Sequence, residues 1–316
     1  MPTQKTPTTA VLIPCYNEAS TIGRVVRDFQ SFLPGATVYV FDNNSSDETK
    51  DRAREAGAVV RTVGYQGKGN VVRRMFADVN ADIYVLVDGD DTYLAADAPR
   101  LIDCLIQEQL DMVVGARESE EQSAYRRGHR FGNALLTRVA ANIFGRSFSD
   151  MLSGYRIFSN RFVKSFPAHS TGFEIETELT VHALELRMPV SELPTPYKAR
   201  PDGSASKLRT YRDGLRILLT ILQLFKAEKP LQFFSIGATA CALTSVILIL
   251  PVLKTYLDTG LVPRLPTALL CAALTLFGAL LLVCGLILDT VTRGRVELKR
   301  LAYLAATALP ASPEDL

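Results

Sequence analysis

The sequence predicts an α/β fold, a mainly parallel sheet flanked by helices, followed by a two-helix transmembrane hairpin at the C-terminal end. Three observations predict it. Short apolar runs alternate with amphipathic helical patterns through the first two thirds of the chain. Clusters rich in Asp, Asn and Ser follow several of those runs. Two uncharged stretches, each over 20 residues, fill most of the last third.

The first run, Val11 to Pro14, ends in a polar turn, and a helical pattern follows from about Ser20 to Phe32. Thr37 to Phe41 forms the second strand, and Asp47 to Ala56 the second helix. Val59 to Val63, then a helix from Gly69 to Val79, continue the alternation. Ile83 to Val87 is again a strand, Ala98 to Gln109 a helix, and Met112 to Val114 a strand. Strands joined by helices of this length imply parallel pairing with helices on both faces. In such sheets ligands gather beyond the carboxyl ends of the strands.

Leu231 to Leu253 carries no charged residue, nor does Leu265 to Leu288. At 1.5 Å per residue each is long enough to cross a hydrocarbon core of roughly 30 Å. The connector, Lys254 to Arg264, contains Gly260 and Pro263, so the two spans form a hairpin. Arg209, Arg212, Arg216, Lys226 and Lys229 precede the first span, and Arg293, Arg295, Lys299 and Arg300 follow the second. This excess of flanking cations places both flanks in the cytosol. Leu208 to Phe225 mixes basic residues with an apolar stripe, a pattern that suits an amphipathic helix in the headgroup region. The expected organisation is a cytosolic domain over 1–207, a juxtamembrane helix over 208–229, the spans within 230–290 and a cytosolic tail over 291–316. The chain is thus expected to be an integral membrane protein, in the inner or plasma membrane if bacterial.

A formal net charge of +2 gives no electrostatic case for a nucleic-acid partner. The three histidines share no metal-ligand spacing, which argues against zinc. The five cysteines show no paired spacing and fit reduced, buried thiols. Met1 to Thr9 lacks a basic stretch followed by an apolar core, so no cleavable signal peptide is expected.

The polar clusters carry the chemistry. Cys15-Tyr-Asn-Glu18 follows the first strand, Asp42-Asn-Asn-Ser-Ser-Asp47 the second, and Asp88-Gly-Asp-Asp91 the run ending at Val87. Two carboxylates two residues apart at the end of a buried strand can approach one divalent cation on a diphosphate. Asp-x-Asp also occurs in ordinary surface turns; its place after a buried strand separates the two cases, since clustered buried acids need a counter-ion. Gly67-Lys68-Gly69 could offer backbone amides and an ammonium to a nucleotide. It equally fits a tight turn with a surface lysine.

Together the motifs Ile13-Pro-Cys-Tyr-Asn-Glu18, Phe41-Asp-Asn-Asn-Ser-Ser-Asp-Glu-Thr49, Gly67-Lys-Gly69, Val87-Asp-Gly-Asp90, Gly115-Ala-Arg117 and Asp150-Met-Leu-Ser-Gly-Tyr155 resemble family 2 inverting glycosyltransferases of the GT-A fold. The branch they are most similar to is that of polyprenyl- and dolichyl-phosphate sugar synthases. The resemblance implies a UDP- or GDP-linked sugar donor, a polyprenyl phosphate acceptor and Mg²⁺ or Mn²⁺. It implies that Pro14, Tyr16 and Glu18 line the nucleotide, with Lys68 beside it, and that Asp42 meets base or ribose. It puts Asp88 near ribose and metal, and makes Asp90 the principal metal ligand. Where the branch often holds a Gln two residues past the second Asp, this chain has Thr92. Arg117, Arg130, Asp150 and Ser153 fall where the branch holds the transferred sugar and phosphates. Arg200, Ser206 and Lys207 fall in a basic loop that would grip the acceptor phosphate, or in a plain linker to the juxtamembrane helix. Related lipid-phosphate enzymes assemble, so a homo-oligomer is a further implication; Gly237, Ala238, Gly278 and Gly285 are the small residues that would pack it.

A sugar hydroxyl needs a positioned general base, whereas a lipid phosphate is already anionic. Direct attack by the phosphate without a protein base is therefore expected. The alternatives are a non-processive transferase to a glycan, with Asp150 or Glu174 as base, and a non-catalytic membrane scaffold. Processive enzymes of the family carry a Gln-x-x-Arg-Trp motif, and this chain has no tryptophan.

Overall fold

The computed structural model describes residues 7–118, 148–172, 174–198, 222–223 and 225–308. Among them seven strands form one sheet in the order β3-β2-β1-β4-β6-β5-β7. The strands are β1 (Thr9–Cys15), β2 (Thr37–Asp42), β3 (Val59–Thr62), β4 (Ile83–Leu86), β5 (Met112–Glu118), β6 (Arg156–Ser159) and β7 (Val190–Pro196). Strands β1 to β4 pair in parallel, as expected from the alternation. The sheet is mixed beyond that point: β6 runs antiparallel between β4 and β5, and β7 joins β5 in parallel.

The helices of this unit are α1 (Ile22–Phe32), α2 (Thr49–Glu55), α3 (Lys68–Asp78), α4 (Ala98–Gln107), α5 (Asn160–Ser165) and α6 (Ile175–Leu186). Alternation along the strands sorts them into two layers. Ile83, Val85 and Val87 share a core with Val25, Val26 and Phe29 of α1 and Leu101 and Leu105 of α4. Tyr84, on the other face, meets Phe76 of α3, which also packs on Phe158 and Phe166. Both faces of the central strands are therefore covered, and β4 is apolar along its whole length.

A separate unit holds the two long helices, α7 (Pro230–Thr259) and most of α8 (Leu265–Ala305). Both are long and apolar enough to cross a membrane. The small residues singled out in the spans line the contact between the two helices. A Cβ on Gly278 would lie 3.2 Å from the Ala238 carbonyl oxygen, and one on Gly285 3.1 Å from Phe234 Cβ. Ser245 Oγ donates to the Cys271 carbonyl at 3.0 Å, an interhelical bond of the kind that joins helices in lipid. Of the juxtamembrane segment Leu208 to Phe225, 208–221 and 224 lie outside the described residues.

Helix α8 continues past Leu288, where the second span was expected to end, and its last turns from Leu298 belong to the sheet unit. Lys299 Nζ lies 2.5 Å from Glu185 of α6. Tyr303 Oη donates to buried Asp111 at 2.8 Å, while its ring lies under Arg161 at 5.4 Å. What looked like the start of a tail is a packed element. Tyr303→Phe should lower the urea stability of the detergent-solubilised protein by about 1.5–3 kcal/mol, the worth of a hydrogen bond to a buried charge. A loosely held tail would show under about 0.5 kcal/mol.

Between α5 and α6, His182 of α6 is buried against Phe162 and Phe166, with Ser165 Oγ 3.0 Å from Nε2. Burial, and secondarily the charge of Lys299, depress its pKa to about 3. The unfolded chain takes up this proton near pH 6.5 while the folded chain does not. Stability therefore falls with pH below about 6.5, by up to about 1.4 kcal/mol per unit, until about pH 3. His182→Phe should flatten that part of the stability–pH curve measured by urea unfolding.

Candidate active site

The polar clusters converge at the carboxyl ends of β1, β2 and β4, as the fold class requires. Cys15 and Asp42 are register partners at the ends of β1 and β2. Beyond them the two loops are stitched together. Asn17 donates its amide to Ser45 Oγ at 2.9 Å and accepts from the Ser46 amide at 2.8 Å. The Glu18 amide donates to Thr49 Oγ1 at 2.9 Å, and the Ala19 amide to Asp47 at 3.1 Å. Pro14, Tyr16 and Glu18 are half-buried along this rim.

Asp42 is fully buried at the end of β2. Its Oδ2 accepts from the Ser45 amide at 3.2 Å, with Lys50 3.9 Å away. Its Oδ1 has no hydrogen-bond partner among the described residues. A buried carboxylate oxygen without a donor is costly, so this atom marks a place where an incoming N–H or O–H would be welcomed.

The Asp88–Asp91 cluster divides three ways. Asp88 accepts from Lys68 Nζ at 2.5 Å and is partly exposed. Asp90 is buried, and its Oδ1 accepts from Thr92 Oγ1 at 2.6 Å. Thr92 thus orients Asp90. Asp91, at φ 60°, pairs with Arg24 at 2.8 Å. Gly89 is needed between them, because a Cβ there would lie 2.6 Å from Cys15 Sγ. Burial first, then the charges of Glu18, Asp42, Asp88 and Asp90, raise the Cys15 thiol well above its ordinary range. That is an inert thiol beneath a ring of acids.

Gly67-Lys68-Gly69 resolves into a packed turn. The Gly67 amide donates to Asn43 Oδ1 at 2.6 Å and the Gly69 amide to the Thr171 carbonyl at 3.2 Å. Both of these amides are engaged within the fold, which favours the tight-turn alternative for the two glycines. Lys68, however, is not a surface lysine. Its ammonium lies between Asp88 and Glu176, the latter at 2.6 Å. Burial alone would lower its pKa; the two carboxylates outweigh that and hold it above the usual lysine range.

On the other side of the sheet's end, Arg117 at the tip of β5 grips Asp150 with two hydrogen bonds, Nε at 2.6 Å and Nη2 at 2.8 Å. The Arg117 guanidinium also lies 5.5 Å over the Tyr197 ring. Burial would raise the Asp150 carboxyl, yet hydrogen bonds and charge from Arg117 hold it below the ordinary carboxylate range. Glu192 accepts the amides of Ser149 and Asp150 and fixes the loop. Ser153 is buried, donating to the Gly115 carbonyl at 2.6 Å, so it supports this loop from within. Gly154 closes the arrangement: a Cβ there would lie 2.4 Å from Asp88 Oδ2. Arg130, Arg200, Ser206 and Lys207 lie outside the described residues.

The donor set suits a hard cation. Asp88 and Asp90 offer carboxylate oxygens, and no group of three or more His, Cys, Asp or Glu capable of holding a metal occurs among the described residues. A cation held by two carboxylates must fill its shell with water and phosphate oxygens, which is the habit of Mg²⁺ and Mn²⁺. Glu176 was missed in the sequence because Phe173-Glu-Ile-Glu-Thr-Glu178 looks like plain alternation. Only the structure shows that its neighbours, Ile175 and Thr177, are buried, which leaves Glu176 in need of a cation. Glu178, one turn from Glu174, accepts the amides of His169 and Ser170 and is structural.

The sequence profile of glycosyl transferase family 2 matches residues 10–166. Glycosyltransferase AglJ of Haloferax volcanii is 35% identical over 297 residues, covering 93% of this chain and 97% of that protein. The dolichyl-phosphate hexose transferase of the same organism is 28% identical over 221 residues, 70% of this chain and 95% of that protein. Among solved structures, glucosyl-3-phosphoglycerate synthase from Mycobacterium tuberculosis, in complex with Mn²⁺, uridine-diphosphate and glucosyl-3-phosphoglycerate, superposes with a TM-score of 0.56 at 23% identity. The match covers 68% of this chain and 80% of that one, and shows the shared GT-A fold.

A double-mutant cycle of Arg117→Gln with Asp150→Asn should give a coupling energy of roughly 2–4 kcal/mol in urea unfolding. An exposed pair would give under about 1 kcal/mol.

Proposed function

We propose that this chain, which belongs to glycosyl transferase family 2, transfers a sugar from a nucleoside-diphosphate donor to a polyprenyl phosphate, with inversion, at the cytosolic face of a membrane. The observation that carries the choice of acceptor is the Arg117–Asp150 pair. Asp150, one of the two candidate general bases beside Glu174, is locked to a guanidinium and held below the ordinary carboxylate range. A weakly basic, doubly bonded carboxylate is poorly placed to activate a hydroxyl. A phosphate oxygen is already an anion and needs no such base. The names of two relatives, dolichyl-phosphate hexose transferase and dolichol-phosphate mannosyltransferase, agree with that acceptor class, as do two helices long enough to cross a bilayer.

In this reading Pro14, Tyr16 and Glu18 line the nucleotide, and Asp42 Oδ1 accepts a hydrogen bond from its base or ribose. Asp88 and Asp90 would hold Mg²⁺ or Mn²⁺, which when bound neutralises charge on the departing diphosphate. Thr92 keeps Asp90 aimed. Gly154 leaves room for the Asp88 carboxylate. Arg117, oriented by Asp150, faces the transferred sugar and its phosphates, and Arg130 shares that role. Arg200, Ser206 and Lys207 grip the acceptor phosphate, offsetting the repulsion between two anions brought together. The excess of flanking cations keeps this chemistry in the cytosol.

The test is an assay of detergent-purified protein with radiolabelled UDP- and GDP-sugars, polyprenyl phosphate and Mn²⁺ or Mg²⁺. We expect a cation-dependent, organic-extractable product, reduced at least about a hundredfold in Asp90→Ala. Label appearing only on free saccharides, across a range of lipid chain lengths, would overturn the lipid acceptor.

A further inference from the structure

Lys68 opens α3, and its ammonium touches two acids that come from distant parts of the chain. Asp88 Oδ1 is 2.5 Å away and Glu176 Oε1 2.6 Å. Two of the three partners are fixed in place. A Cβ on Gly67 would lie 2.2 Å from the Thr171 carbonyl oxygen, and one on Gly69 2.1 Å from that of Ser170, so the turn that carries Lys68 is pressed against a neighbouring backbone. Glu176 sits in the first turn of α6, between buried Ile175 and Thr177. The side chains of Lys68 and Glu176 are 10% and 8% exposed. Asp88, at 30%, is the most exposed of the three.

An ammonium already bonded to Asp88 competes with any divalent cation for that carboxylate. One carboxylate cannot serve both well, because the two cations repel each other at such short range. A nucleoside diphosphate changes the balance, since its phosphate oxygens offer the ammonium another anion within reach of the same stem. The geometry points to Lys68 as an internal counter-ion that holds Asp88 in the free protein, tethered by Glu176, so that a divalent cation binds Asp88 and Asp90 tightly only when a nucleoside diphosphate draws the ammonium away. Glu176 is then a positioning residue: it keeps Lys68 charged, anchored and short of leaving the site when Asp88 lets go. No bond is made or broken; the ammonium exchanges one anion for another. By linkage, the factor by which the nucleotide tightens the cation equals that by which the cation tightens the nucleotide. This inference rests on the donor-and-cation reading of the site given above.

The test measures Mn²⁺ binding by electron paramagnetic resonance on the full-length protein in detergent, with and without UDP or GDP. For the unaltered protein, Mn²⁺ alone should bind weakly and tighten about tenfold or more with the matching nucleotide. The double variant Lys68→Met with Glu176→Gln removes one charge of each sign and leaves the net charge unchanged. It should bind Mn²⁺ alone about tenfold tighter, and gain little more from nucleotide. If it binds Mn²⁺ alone as weakly as the unaltered protein, the role of Lys68 is overturned while the donor-and-cation reading stands. If the unaltered protein takes up no Mn²⁺ with either nucleotide, that reading fails and this inference with it. Should the double variant not fold, Glu176→Gln alone leaves the ammonium on Asp88; it should weaken Mn²⁺ binding in the presence of nucleotide several-fold, and Glu176→Asp should restore part of the loss. Unchanged binding in Glu176→Gln would overturn the tether.

Discussion

A single buried guanidinium holds the site together. Arg156 opens β6 and is wholly inaccessible to solvent. Its Nη2 donates to the Met151 carbonyl at 2.6 Å and its Nε to that of Ser153 at 2.9 Å. Its Nη1 donates to Thr180 of α6 at 2.8 Å. One side chain thus fixes the loop that delivers Asp150 to Arg117 and Gly154 to Asp88, and ties that loop to the helix carrying Glu176. Burial brings its pKa down to about 10, with Glu176 and Asp150 opposing the shift, so it stays charged at neutral pH. Carbonyl oxygens rather than a touching carboxylate satisfy it, which leaves the nearby acids to other partners.

The acids around the strand ends share one pattern. Asp88 leans on Lys68, Asp91 on Arg24 and Asp150 on Arg117. Each pair balances a charge that the low-dielectric interior would otherwise penalise heavily. Two further acids are steadied by other groups as well. Asp90 is steadied by the hydroxyl of Thr92, and Asp42 keeps one oxygen without a partner among the described residues.

Strands β1 to β5 were legible because each is an apolar run closed by turn residues, and the motifs at their ends gave the family. Strand β6 was not, because its first residue is an arginine whose burial depends on carbonyls supplied by other loops. Strand β7 carries Pro194 and Pro196, which break any strand signal, and among the described strands it pairs with β5 alone. Helix α6 is buried on nearly all sides, so it has no polar stripe to betray its period. Lys68 and Glu176 are separated by 108 positions. No local pattern couples them, and the surface lysine and the alternating acids each had an ordinary explanation. The glycines and alanine of the spans show the same limit: their spacing signals close helix approach, but only the fold tells that the approach is within one hairpin.

The return of α8 onto the sheet sets an order of events during synthesis. Residues up to Lys198 can begin to fold as soon as they leave the ribosome. The turns that cover Asp111 and Glu185 are made only after both long apolar helices have emerged. At roughly 5–20 residues per second, the stretch between Lys198 and Leu298 delays them by on the order of 5–20 s. Through that interval Asp111 keeps Ser159 but lacks Tyr303, Glu185 lacks Lys299, and the sheet unit remains incomplete. Completion of the sheet unit is thereby timed to the emergence of the two long apolar helices, so that a chain stalled before them carries an unfinished catalytic unit.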